Sequence, residues 1–228
     1  MRPPRVAFGL LTELETLRYG IVMERTGRRI MSDRDPARLT RRRALLGIVA
    51  VLATPVLARR AEAAAEEQAL AYMSKVAKDM LNAHRQGTVA SFKRAIQRHA
   101  DVRTIAEYSL GQYRPRLPAS QREAYYTGTA TFMARYFADQ SREYVVAKYE
   151  IGQANADGKD VSVQTKVYLM SGQSYTVVWK LTPRMGGFKV ADAKVLGFSL
   201  IYLQRGIFTS FLSKRNGDVT ELVAALNR

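Results

Sequence analysis

The chain has 228 residues, with 36 Lys and Arg against 20 Asp and Glu, a net charge of +16. An apolar share of 47% and a charged share of 25% exclude disorder throughout. Cysteine is absent, so disulfides, thiolate chemistry, iron–sulfur clusters and Cys-type zinc sites are excluded. His84 and His99 alone leave little material for multi-histidine metal sites or a Ser-His-Asp triad.

The first segment with a reading is at the front. Ala44 to Ala58 carries no charge and is too short for a comfortable membrane span. Thr40-Arg41-Arg42-Arg43 precedes it, and Ala61-Glu62-Ala63 follows as a small-residue cleavage pattern. A basic start, a short apolar run and such a cut site make an export signal, and the paired arginines point to the twin-arginine route. The expected division is 1–30 as a mis-assigned start or extension, 31–63 as the signal, and 64–228 as the mature domain. Cleavage is expected between Ala58 and Ala63. The mature part keeps 23 basic and 14 acidic side chains, a net of +9. That charge suits anionic lipid headgroups or an acidic partner, or plain solubility.

Helical spacing comes next. Leu70, Met73, Ala77, Met80 and Leu81 form one stripe, opened by Glu66 and Glu67 and closed by Gly87. Thr88 caps a second helix with Val89, Phe92 and Ile96 inward, and Asp101 caps a third with Val102, Ile105 and Tyr108. After a loop with Pro115 and Pro118, Ser120-x-x-Glu123 reads as a capping box. The long helix behind it carries Tyr125, Tyr126, Phe132, Met133, Tyr136, Phe137 and Tyr144 on an aromatic face.

The period then falls to two. Val145 to Ile151 is a strand, Asp157-Gly158 a hairpin turn, and Val161, Val163, Thr165, Val167 and Leu169 alternate with polar residues. Ser171-Gly172 turns into Tyr175, Val177, Trp179 and Leu181. Pro183 to Gly187 turns into a fourth strand, Phe188 to Leu196. Two helices end the chain, one with Leu200, Leu203, Ile207, Phe208, Phe211 and Leu212, the other capped by Asp218-x-x-Glu221. The expected fold is α+β, a curved antiparallel sheet of about four strands with helices over its apolar face.

Little points to chemistry. Gly186-Gly187 lacks the Lys-Ser or Lys-Thr of a phosphate loop. His84 and His99 read as core or capping residues, and Asp157 and Asp160 as solvated turn flanks. Asp192, inside a strand, is the one carboxylate that could act as a base if it faced a pocket. The surplus of Tyr, with Met133 and Met170, suits the wall of a greasy ligand cavity.

Three stretches carry a resemblance: Leu110-Gly111-Gln112-Tyr113, Gln121-Arg122-Glu123-Ala124-Tyr125, and Gly197-Phe198-Ser199-Leu200-Ile201 with Arg205, Phe208 and Asn216-Gly217-Asp218. Together they resemble the MlaC family of periplasmic phospholipid-binding, toluene-tolerance proteins, over roughly residues 70–226; a hopanoid-associated branch of that family is an alternative. The chain departs from the pattern in Arg-Pro-Arg-Leu-Pro before the QREAY helix and in its twin-arginine signal. The resemblance implies a nuclear-transport-factor-like fold with an apolar cavity and no catalysis or cofactor. It implies a periplasmic carrier moving phospholipid between an inner-membrane ABC transporter complex with a ring component and an outer-membrane lipoprotein complex. The acyl-chain contacts expected on this reading are Val163, Val167, Tyr175, Val177 and Trp179 from the strands, with Leu110, Phe132, Met133, Tyr136, Phe137, Phe198 and Ile201 opposite. Arg205 is a candidate for an anionic contact or a structural ion pair. Two other readings remain: an isomerase or dehydratase on the same cone-shaped fold, and a basic binding module without a cavity.

Overall fold

A computed structural model describes residues 48–228, with side chains from Arg59 onward. The expectations for residues 1–47, including the arginine pair and most of the export signal, lie outside the described residues. In chain order the elements are α1 (Ile48–Gln86), α2 (Val89–His99), α3 (Val102–Ser109), α4 (Arg122–Glu143), β1 (Val146–Asp157), β2 (Asp160–Leu169), β3 (Ser174–Arg184), β4 (Gly187–Val195), β5 (Phe198–Ser199), α5 (Leu200–Ser213) and α6 (Val219–Leu226). Two 3₁₀ turns, Gly111–Arg116 and Ala119–Gln121, join α3 to α4. No described helix is long and apolar enough to cross a membrane.

The sheet is an open antiparallel meander in the order β1-β2-β3-β4-β5. The expected α+β class holds, with a short fifth strand that two residues between a turn and a helix could not announce. Gly158 sits at φ +59 in the first turn, a left-handed conformation that favours glycine. Pro183 lies inside β3, paired with Phe188, and the third turn is Met185-Gly186. Register shifts in β1 and between β3 and β4 bend the sheet.

Helix α1 runs without a break through Arg59–Ala64, across the expected cleavage region. These residues are exposed, but Ala, Glu and Arg are strong helix formers and the helix continues. Two side chains pin α1 along the edge strand. The Glu66 carboxylate accepts from the Ala156 N–H at 2.9 Å, and His84 Nε2 accepts from the Val146 N–H at 2.9 Å. Both amides would otherwise be free at the sheet edge. His84 must therefore be neutral at Nε2, and burial holds its pKa below the ordinary histidine value. An imidazolium cannot accept that bond. His84 thus stabilises the fold fully above about pH 6.5, and this contribution is lost as pH falls through the lower folded-state pKa. Denaturant unfolding near pH 5 and near pH 8 should show it as a pH-dependent part of stability that His84→Leu lacks, roughly as two-state linkage requires. Equal pH dependence in both proteins contradicts the assignment.

Three cores hold the chain. Met73, Val76 and Ala77 of α1 cover Val161, Val163, Leu181 and Val190 of the sheet. Phe92, Ala95 and Ile96 of α2 pack on Ala130, Ala134 and Ala138 of α4. Tyr125 of α4 joins Ala106 and Leu110 with Phe208 and Leu212 of α5 and Leu222, Val223 and Leu226 of α6.

Helix α4 corrects two expectations. Its N-cap is Gln121, with no side-chain cap bond, because the preceding 3₁₀ turn moves Ser120 out of capping position. Its buried face is a seam of Gly128, Thr129, Ala130, Ala134, Ala138 and Ser141 with Tyr125, and the large aromatics flank it. Small side chains let α2 and α6 approach closely: a Cβ at Gly128 would lie 2.8 Å from Leu226 Cβ.

Candidate functional site

Register builds one apolar face on the sheet. Val163 lies opposite Trp179, and Val167 opposite Tyr175. A further row crosses all five strands through Ile151, Thr165, Val177, Val195 and Phe198. The strand residues expected to point together therefore do so. The other face carries Lys148, Glu150, Gln164, Lys166, Lys180 and Lys194 and is polar.

Within the apolar face, one group is polar and satisfied. Trp179 Nε1 donates to Thr165 Oγ1 at 2.8 Å, which satisfies the indole N–H within the face.

The expected lining divides. Val163 and Trp179 belong to the core under α1; Leu110 and Phe132 to the α3–α6 core; Met133 and Phe137 to the α2–α4 core. Val167, Tyr175, Val177, Tyr136, Phe198 and Ile201 are packed into none of the three. The strand members of this second group lie toward the end of the sheet where β2 leaves and β3 enters. α1 covers the other end; here Val177 is buried, while Val167 and Tyr175 are only partly covered.

A pocket of about 370 Å³ opens at this same end, between the close of α4 and the β2–β3 turn. Glu143, Tyr144, Val145, Leu169, Met170, Ser171 and Gln173 line it. None of the twelve expected contacts is among them. Leu169 was readable from the alternation it shares with Val167, and Val145 as the expected start of the first strand, whereas Gln173 gave no signal beyond its place beside a turn. The phenols of Tyr136, Tyr144 and Tyr175 lie within electrostatic reach of one another, and burial raises the pKa of all three above the ordinary phenol value. They stay neutral across physiological pH. A smaller hollow of about 180 Å³ between α1 and α2 is polar, with Asp79, Asn82, Arg94 and Arg98 around it.

The carboxylates take structural roles. Asp192 lies opposite Lys180 on the polar face, and its Oδ1 accepts from the Ala193 N–H at 2.8 Å and the Ile201 N–H at 3.2 Å. It ties β4 to the start of α5 and does not face the apolar side. Asp160, expected to be solvated, is buried, because Lys180 reaches it at 2.9 Å. Burial opposes its charge, but hydrogen bonds from Lys180 and Thr182 hold the carboxyl below its ordinary pKa. His99 Nε2 lies 2.8 Å from Asp79 Oδ2. Among the described residues no group of three His, Asp or Glu is placed to hold a metal.

The motif residues meet one another. Gln204 Nε2 donates to Ser109 Oγ at 2.8 Å, and Tyr125 donates to the Ala106 carbonyl at 2.8 Å. Gly111, at φ +55, lets Arg205 pass, since a Cβ there would lie 3.0 Å from Arg205 Nε. Arg205 makes no ion pair among the described residues; its guanidinium stacks 4.9 Å from the Tyr108 ring centroid. Asn216 and Gly217 take positive φ ahead of the Asp218 cap, and Arg116 donates to the Asn216 carbonyl at 2.9 Å. The Arg-Pro-Arg-Leu-Pro departure thus supplies a clamp on the α5–α6 turn and buries Leu117. These motifs tie α3, α4 and α5 and the α5–α6 turn together.

Comparison with known proteins agrees with this fold. No curated protein matches the chain. Among solved structures, a phospholipid-binding protein from Ralstonia solanacearum, in complex with a phospholipid, superposes with a TM-score of 0.57. It shares 21% identity, over 69% of this chain and 93% of that one. A family model described as MlaC protein matches residues 65–228, the whole body that carries the three cores, and the chain belongs to the MlaC family.

Proposed function

We propose that the chain is a non-catalytic periplasmic phospholipid carrier, exported by its N-terminal segment. It takes lipid from one membrane complex and delivers it to another, between an inner-membrane ABC transporter with its ring component and an outer-membrane lipoprotein complex, in support of outer-membrane lipid asymmetry. The observation that carries the reading is the apolar sheet face whose far end, with Val167 and Tyr175 only partly covered, is packed by none of the three cores. The family membership and the phospholipid in the Ralstonia solanacearum relative support it.

The physics fits a shuttle. Two acyl chains of about 15 methylenes each represent roughly 24 kcal/mol of transfer from water, at about 0.8 per methylene. A lipid does not cross water unaided against that. A bilayer interior is already apolar, so moving the tails onto Val167, Tyr175 and Val195 is nearly neutral. The carrier therefore exchanges cargo reversibly, and its partners set the direction. Asp192 lends no support to the isomerase reading, since its carboxylate is committed to two backbone N–H groups.

A transfer assay tests this. Donor and acceptor vesicles held apart by a membrane permeable to protein should exchange labelled phospholipid faster when the protein is present. Transfer at the protein-free rate contradicts the carrier.

A further inference from the structure

Three turns meet at the open end of the sheet: Tyr144–Val145 entering β1, Met170–Gln173 between β2 and β3, and Leu196-Gly197 between β4 and β5. Each presents apolar side chains to solvent. Val145 is 49% exposed, Met170 72%, Leu196 71% and Phe198 43%. The sequence around them is free of charge from Val167 to Trp179 and from Val195 to Gln204, in a chain that is 25% charged.

Leu196 adds an independent observation. It sits at φ +51, followed by Gly197 at φ +88, a two-residue hairpin turn in which Asn-Gly is the favoured pair. A leucine in the left-handed region is strained. Its side chain gains nothing from this chain in return, because it is exposed. Strain held at an exposed apolar tip points to burial against something outside the molecule.

The surrounding charge says what. Exposed Arg142, Lys166 and Lys194 stand two to four residues behind the tips and make no ion pair among the described residues. Of the acids at this end, Glu150 is bound by Lys148 and Tyr168, and Asp192 by backbone, which leaves Glu143. Apolar tips in front and cations just behind match the cross-section of an anionic bilayer interface, with acyl region first and headgroups second.

We infer that the turn tips carrying Met170 and Leu196, backed by Arg142, Lys166 and Lys194, dock the open end of the sheet directly onto an anionic lipid surface. The inference deepens the carrier reading by naming the surface its cargo crosses, and its readout is separate from lipid loading. Residues 64–228, which contain all three cores, would be sedimented with vesicles of phosphatidylcholine alone and with vesicles containing phosphatidylglycerol. The wild type should bind the anionic vesicles, and less so in high salt. The double variant Met170→Asn, Leu196→Asn should bind at least about tenfold more weakly, from the apolar area lost. Leu196→Asn alone relieves the turn and lines no pocket, so this single variant folds, should already bind vesicles more weakly, and should keep the wild type's lipid content after purification. Absent wild-type binding, or binding unchanged in the double variant, overturns the inference. So does a wild-type dimer that becomes a monomer in the variant, since the tips would then cover a second copy. A protein that binds vesicles but never carries lipid defeats the carrier reading instead.

Discussion

Val167→Asp is expected to strip the protein of lipid while leaving it folded. Val167 is half-buried, opposite Tyr175 and Tyr149, in the half of the apolar face that no core packs. Water reaches a carboxylate there while the face is uncovered, so the fold loses little. With acyl chains against it, the same carboxylate loses its hydration, a penalty of several kcal/mol. Transfer from a bilayer is nearly neutral for the wild type, so even about 3 kcal/mol lowers occupancy roughly 100-fold. Thr176→Asp is the control, one strand over on the polar, exposed face. Lipid phosphorus per chain, measured after purification without detergent, should vanish in the first variant and persist in the second. Equal occupancy in both contradicts the placement of the tails.

Phe208→Ala should produce the largest loss of stability, about 3–5 kcal/mol. Phe208 is fully enclosed, with its ring 5.1 Å from Phe132 and 6.4 Å from Tyr125. Its core joins α3, α4, α5 and α6 and contains no strand residue, so nothing else ties these helices together as strongly. Domains of this size have about 5–15 kcal/mol in total, so the variant should be marginal. Urea unfolding reads the difference. Phe198→Ala makes the same chemical change at an exposed ring and should shift stability by about 0.5 kcal/mol or less. A loss below about 1 kcal/mol at Phe208 contradicts the packing described.

The strands were legible because alternation is local. Val161 to Leu169 and Tyr175 to Leu181 name their inward residues without knowledge of the rest, and the observed register pairs them as expected. Caps were legible for the same reason: Thr88, Asp101 and Asp218 each accept from the amides they were assigned. Helix α4 was not. Its aromatics outweigh its small residues in any hydrophobic count, yet Gly128, Ala134 and Ala138 form the seam, because close helix approach selects for small size. The pins at Glu66 and His84 join residues far apart in sequence, and the fate of Asp160 depended on Lys180 two strands' length away. The division of the expected strand lining into residues packed under α1 and residues beyond it follows from where α1 lies, which no strand pattern records.

Native mass spectrometry of residues 64–228, purified without detergent and paired with lipid extraction of the same sample, tests the central claim most directly. The carrier predicts a bound population heavier than the chain by one phospholipid, and an extract of matching class. A single mass equal to the bare chain, unchanged after incubation with liposomes, would contradict it.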